Sequence, residues 1–188
     1  LETDNSLETP KECPLMCIIV SGGHTELVKL DSNFNFQLIG RTRDDAAGEA
    51  FDKAARLLDL GFPGGPEVDK HSSLSSESFD FPRALLKGSH DFSFSGMKTA
   101  FLNLSEKNKP YDKDKISKLC NTFQEAIVDV ITEKTIKAAE EHKCKGIVVT
   151  GGVAANSHLR NEIKRKSLLP VFIPEKKLCT DNGAMIAS

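Results

Sequence analysis

The sequence predicts an α/β fold with an antiparallel hairpin at one edge of its sheet. Two apolar runs, Cys17-Ile18-Ile19-Val20 and Leu27-Val28-Lys29-Leu30, flank the turn Ser21-Gly22-Gly23-His24-Thr25-Glu26. Ile116, Leu119, Phe123, Ile127, Val130 and Ile131 recur at three and four residues, the apolar stripe of a long helix. Gly146-Ile147-Val148-Val149-Thr150 is a short strand of buried type that runs into Gly151-Gly152 and another helical stretch.

In chain order, residues 1–12 are polar and read as a linker or trimmed connection, and 13–188 as the folded unit. Without an initiator methionine, the chain is expected to begin inside a longer protein. Strands are expected over 15–20, 26–30 and Phe34–Gly40. Asp44 and Asp45 are N-cap candidates for a helix through Ala50, Ala54, Leu57 and Leu58 that stops at Gly61. Pro63-Gly64-Gly65-Pro66 is a loop, and a helix can start at Pro66 because proline suits a first turn. Residues 71–90 are irregular; Phe92 and Phe94 read as a strand's buried face, with Ser95 capping the next helix. The long helix covers Asp114 to about His142, and another follows from about Asn156 to Lys166. Leu169–Ile173 is a strand, Pro174–Cys179 a loop, and Asp181-Asn182-Gly183 opens a final helix.

Composition narrows the function classes. An apolar share of 39% with 28% charged residues is that of a soluble globular chain. No apolar run approaches the roughly 20 residues that span a bilayer, and Leu1-Glu2-Thr3-Asp4-Asn5 is no signal peptide. A net charge of −2 gives no general attraction to nucleic acid, so any RNA contact must come from a local patch or a partner. The five cysteines form no C-x-x-C pair, which fits small core residues in a reduced, cytosol-like compartment.

Each candidate site has a chemical and a plainer reading. Successive amides at the Ser21–His24 turn form a concavity suited to phosphate oxygens, or the turn is an ordinary tight one. Gly151-Gly152-Val153-Ala154-Ala155-Asn156 lies where a strand feeds a helix, the end of an α/β sheet at which ligands bind. Asn156 is there a ligand contact or an N-cap. Asp44-Asp45-Ala46-Ala47-Gly48-Glu49-Ala50-Phe51-Asp52-Lys53 is dense in carboxylates. Asp52 is a ribose contact or part of a solvated face beside a Glu49–Lys53 pair, and Asp69 has the same two readings. Lys98 is a possible phosphate or RNA contact after the Phe/Ser alternation of 91–95. Asp181 is an N-cap or a metal ligand, and a lone carboxylate is a weak metal signal. The five histidines show no ligand spacing.

Taken together and in order, these motifs resemble the tRNA N6-adenosine threonylcarbamoyltransferase (TsaD) family, of bacterial or organellar type, over about residues 15–188. The resemblance implies an actin/Hsp70/sugar-kinase-like (ASKHA) nucleotide-binding fold, mainly its second lobe with a helical insertion. It implies transfer of a threonylcarbamoyl group from threonylcarbamoyl-adenylate to N6 of the adenosine 3′ of the anticodon, in the cytoplasm or an organelle. It also implies that Ile19, Val20, Ser21, Gly22 and Gly23 line the adenylate's phosphate and acyl region. Asp52, Gly65 and Asp69 would hold the nucleoside, Asn156 its ribose or base, and Asp181 one iron or zinc ion. The family's other metal ligands are two histidines upstream of the first strand. Residues 1–14 contain none, so the chain alone is expected to bind metal poorly and to be inactive. Implied partners are tRNA, a paralogous dimer subunit and an ATPase helper, with no membrane. No general base is assigned. The alternatives are a metallopeptidase (the family's older glycoprotease activity), a non-catalytic scaffold paralogue, and a sugar or acetate kinase of the same superfamily.

Overall fold

A computed structural model of the chain describes residues 12–181 and Gly183. The expected linker over 1–12, Glu12 excepted, and the final helix opened by Asp181-Asn182-Gly183, Asp181 and Gly183 excepted, lie outside the described residues.

The sheet is built as expected around the glycine turn. β1 (Leu15–Val20), β2 (Thr25–Leu30) and β3 (Phe36–Arg41) form an antiparallel meander. β4 (Gly146–Thr150) lies parallel to β1 and β5 (Val171–Phe172) parallel to β4, giving the order β3-β2-β1-β4-β5. β5 is shorter than the Leu169–Ile173 expectation, because Pro170 has no N–H and offers only its carbonyl, to Ile147 N–H at 2.9 Å. Alternation sorts the two faces. Met16, Ile18, Val20, Leu27, Ile147 and Val149 are fully buried beneath helices. The opposite face carries half-buried Cys17, Ile19, Val28 and Val148, and exposed Phe36 and Leu38.

Helix α1 (Ala47–Leu57) begins later than Asp44 and Asp45 suggested, and neither caps it. Its first amides are taken by the hairpin instead: Ala47 N–H donates to Thr25 Oγ1 at 2.9 Å and Gly48 N–H to the Ser21 carbonyl at 3.0 Å. Asp45 pairs with Lys53 at 2.6 Å. Asp44 reaches across the chain to accept from Ser93 Oγ, Phe94 N–H, Ser95 N–H and Ser95 Oγ at 2.5–3.2 Å. The left-handed residue ending α1 is Asp59, with φ 56°, and not Gly61 alone.

Helix α2 (Gly64–Ser72) starts two residues before Pro66, which then sits in its first turn. Ser95 opens α3 (Ser95–Lys107) from inside the helix, without capping it. Phe92 and Phe94 do not form a strand: Phe92 makes one isolated bridge with Thr42, and the two buried rings stack at 6.0 Å. The long helix α4 (Lys113–Glu141) is capped by Asp112, whose carboxylate accepts from Lys115 N–H at 2.8 Å. The expected apolar stripe is present but too narrow a description. Ser117, Asn121, Thr122, Gln124, Thr132, Lys134 and Thr135 are buried as well, because α4 also carries α2, the last helix α5 (Ser157–Lys166) and the irregular segment on its other sides. Thr122 Oγ1 accepts from Phe79 N–H at 2.9 Å, and Lys134 Nζ donates to the carbonyls of Leu86 and Ser89 at 3.3 and 2.7 Å. Burial pulls the Lys134 ammonium below its ordinary pKa. Among the described residues, no helix is long and apolar enough to cross a membrane.

Asp44 ties the start of α1 to the start of α3. Burial raises its carboxyl, but the four hydrogen bonds outweigh this and hold it below the usual range. Asp44→Ala should therefore cost about 1–3 kcal/mol in urea unfolding. A group depressed in the folded state stabilises above its unfolded pKa, near 3.9, and loses that contribution as pH falls through the folded value. The gap between wild type and Asp44→Ala should accordingly be full at pH 6 and shrink below about pH 4.

Candidate nucleotide site at the carboxyl edge of the sheet

Parallel pairing places the ends of β1 and β4 side by side, so the two glycine turns meet at one edge of the sheet. Gly151 has φ 94°, and a Cβ there would strike the Val20 carbonyl. Gly48 is equally constrained: a Cβ would lie 2.7 Å from the Ser21 carbonyl and 2.8 Å from Gly22. These two glycines bring β1, β4 and the N-terminus of α1 into direct backbone contact.

Gly22, Gly23 and Gly65 differ. None has a positive φ, and a Cβ on any of them would meet nothing within 4 Å. Backbone conformation and packing leave the choice of glycine unexplained at these three positions, all of them expected ligand contacts. At the hairpin turn, Ser21 N–H donates to the His24 carbonyl at 2.8 Å. The Ser21 hydroxyl accepts from Gly23 N–H at 3.3 Å and His24 N–H at 3.0 Å. The expected amide concavity thus holds the chain's own hydroxyl, a neutral acceptor that an anionic oxygen can replace with charge-assisted bonds. Ile19, on β1, is half-buried on the face opposite the helices, and Val20 is in the core.

The polar site candidates have structural partners. Asp52 Oδ1 accepts from Gly64 N–H at 2.7 Å and so caps α2, beside Gly65. Asp69 accepts from Ser157 N–H and Oγ at 3.2 and 2.9 Å. Asn156 Oδ1 accepts from Leu159 N–H at 2.9 Å, the N-cap geometry. Its Nδ2 donates to Gln124 Oε1 at 2.7 Å, and Gln124 Nε2 donates to Ser72 Oγ at 2.7 Å. Ser72 Oγ in turn donates to the Asp69 carbonyl at 2.8 Å. A closed circuit of α2, α4 and α5 results, and Lys176 Nζ joins it at Ser157 Oγ, 2.7 Å away. Asn156 makes the capping bond of its plainer reading, and Asp69 is half-buried against Ser157 instead of lying on a solvated face. Asp181 is exposed. Its neighbour Thr180 lies beside Gly152, with Cγ2 4.0 Å from a Cβ built there. Among the described residues, no three His, Cys, Asp or Glu side chains are grouped to hold a metal ion.

Sequence reading missed Gln124, Ser72, Ser157 and Lys176. The available signal was a glutamine directly after Phe123 in the apolar periodicity of α4, a polar residue at a buried position that must find partners.

This architecture defines the class: an actin-like α/β fold. The chain superposes on full-length HypF in its phosphate- and nucleotide-bound form, with a TM-score of 0.70 at 14% identity over 90% of this chain and 38% of that one. The activator of 2-hydroxyisocaproyl-CoA dehydratase from Clostridium difficile superposes with a TM-score of 0.51 at 18% identity, over 88% and 55%. The chain belongs to the TsaD family, tRNA N6-adenosine threonylcarbamoyltransferase, whose model matches residues 2–188. The tRNA N6-adenosine threonylcarbamoyltransferase of Dehalococcoides mccartyi is 52% identical over 177 residues, 94% of this chain and 53% of that protein. That of Staphylococcus carnosus is 46% identical over 192 residues, 98% and 55%. The chain thus spans about half the length of these relatives.

Gln124 is the test of the circuit. Gln124→Ala leaves the Asn156 amide and the Ser72 hydroxyl without this partner while both are buried, which should cost about 2–4 kcal/mol in urea unfolding. If solvent simply fills the gap, the loss will fall below about 1 kcal/mol.

Proposed function

We propose that this chain is the nucleotide-holding lobe of an acyltransferase that moves a threonylcarbamoyl group from threonylcarbamoyl-adenylate to N6 of the adenosine 3′ of the anticodon in tRNA. The observation that carries the reading is Gly22, Gly23 and Gly65. Each stays free of a side chain without a conformational or packing reason, Gly22 and Gly23 in the hairpin turn and Gly65 in the first turn of α2. Family membership supplies the reaction class.

The residues have separable roles. The Gly22–His24 amides turn to the adenylate phosphate and the developing negative charge on the carbamoyl oxygen. Ile19 and Val20 support that turn from β1. Asp52 has one carboxylate oxygen committed to Gly64, and its other oxygen faces a ribose hydroxyl. Gly65 lets the sugar approach the backbone, while Asp69 and Asn156 hold the nucleoside from α2 and α5. In the transfer, the adenosine N6 nitrogen forms a bond to the carbamoyl carbon. The carbon–oxygen bond to phosphate breaks, AMP leaves with that electron pair, and the amine releases a proton.

Asp181 would be a ligand of an iron or zinc centre. A transition metal needs three or four protein ligands, so the described residues do not make a site, and no step is assigned to a metal. The missing donors would be the family's two histidines from outside these 188 residues. A paralogous dimer subunit and an ATPase helper are the expected partners, in the cytoplasm or an organelle matrix.

Two measurements test the reading. Titration with AMP or ATP should shift NMR resonances at Gly22–His24, Asp52–Asp69 and Gly151–Asn156; shifts confined to other surfaces would remove its basis. In a protein that also carries the upstream histidines, Asp181→Ala should release most of the metal and abolish transfer. Its melting temperature should stay close to wild type, because Asp181 is exposed. Full metal occupancy with normal turnover would return Asp181 to a capping role.

A further inference from the structure

The glycine turn itself forms part of the wall of a cleft of about 560 Å³, with Gly23 and His24 on one side and Glu26, Arg41, Arg43 and Asp91 beyond them. Arg41 ends β3, an edge strand of the sheet. Two arginines stand at its rim in very different states. The Arg43 guanidinium donates to Asp91 Oδ2 at 2.9 Å and to Ser89 Oγ at 3.3 Å, yet its side chain remains 57% exposed. Arg41 is exposed, and among the described residues its guanidinium has no carboxylate within 4.0 Å. Its cross-strand neighbour Glu26 is not ion-paired with it.

The rim is a built structure. Asp91 accepts the Arg41 backbone amide at 3.0 Å as well as the Arg43 side chain, and these bonds hold its carboxyl below the usual range. Ser89, which receives Arg43, is itself fixed through its carbonyl by buried Lys134 at 2.7 Å. A buried lysine therefore sets the position of a surface arginine. Thr42, between the two arginines, is tied to the Thr25 carbonyl at 2.8 Å. The arginines are two residues apart, a Cα spacing of at most roughly 7 Å, which lets them address neighbouring phosphates and not a single one.

We propose that Arg41 and Arg43 form the local patch that grips the tRNA backbone through adjacent phosphates, while the adenylate occupies the neighbouring edge. This rests on the function proposed above and assigns the polynucleotide contacts of that site. Guanidinium groups suit phosphate oxygens by geometry as well as charge. A net charge of −2 gives this chain no general attraction to RNA, so a contact with it rests on individual cations such as these.

The test is fluorescence anisotropy of labelled tRNA with wild type, Arg41→Gln, Arg41→Lys and Arg43→Gln across a salt series, with AMP titration and melting temperature alongside. Loss of one phosphate contact should weaken binding about fivefold near 0.15 M salt and lower the slope of log K against log salt by about one. Arg41→Lys should keep the slope, and AMP affinity should be unchanged in Arg41→Gln. Unaltered tRNA affinity and slope in both glutamine variants would overturn this inference and leave the function standing. So would a loss of AMP affinity in place of tRNA affinity, which would make the cleft part of the small-molecule site. A wild-type chain that binds neither AMP nor tRNA would overturn the function, and this inference with it.

Discussion

The side-chain amide of Gln124 is the joint on which the site's geometry depends. It donates to Ser72 on α2 and accepts from Asn156 at the head of α5, so one planar group in α4 sets the spacing of two other helices. Both neighbours are themselves committed, Ser72 to the Asp69 carbonyl and Asn156 to Leu159. In a buried setting such a circuit is cooperative in an unforgiving way. Each side-chain nitrogen and oxygen of the circuit has a partner, and the removal of any member leaves another desolvated and unpaired.

Around that joint, backbone contact replaces side-chain packing. Gly48 and Gly151 allow the start of α1 and the end of β4 to press on the end of β1, with no room for a methyl group at either position. The edge so formed is rigid where β1, β4 and α1 meet. It is open at Gly22, Gly23 and Gly65, where a Cβ would find empty space. A preorganised floor with an unfilled surface is the arrangement that lets fixed dipoles act on a bound anion without reorganising.

The hairpin, β4 and the start of α5 were legible because their signals are local. A period of two, a glycine pair and an asparagine ahead of a helical stretch each act within a few residues. The start of α1 was misread for the opposite reason. Asp44 has the right chemistry for a cap, but its carboxylate is claimed by Ser93, Phe94 and Ser95, some fifty residues along the chain. The breadth of buried surface on α4 was hidden likewise, because polar residues such as Thr122 and Lys134 are buried only by virtue of a distant irregular segment. As site candidates, Asp52, Asp69 and Asn156 could be singled out from motif order. Their shared use as caps and the role of Gln124 follow from tertiary contacts that no spacing encodes.

Helix termini usually fray, and their first amide hydrogens exchange with solvent almost as freely as in a loop. At the head of α5, Ser157 and Leu159 donate to Asp69 and Asn156, acceptors anchored in a different helix or in the buried circuit. Deuterium uptake at these two amides is therefore coupled to separation of α2, α4 and α5. A position that would ordinarily report only local fraying becomes a gauge of whether the three helices are assembled against this edge.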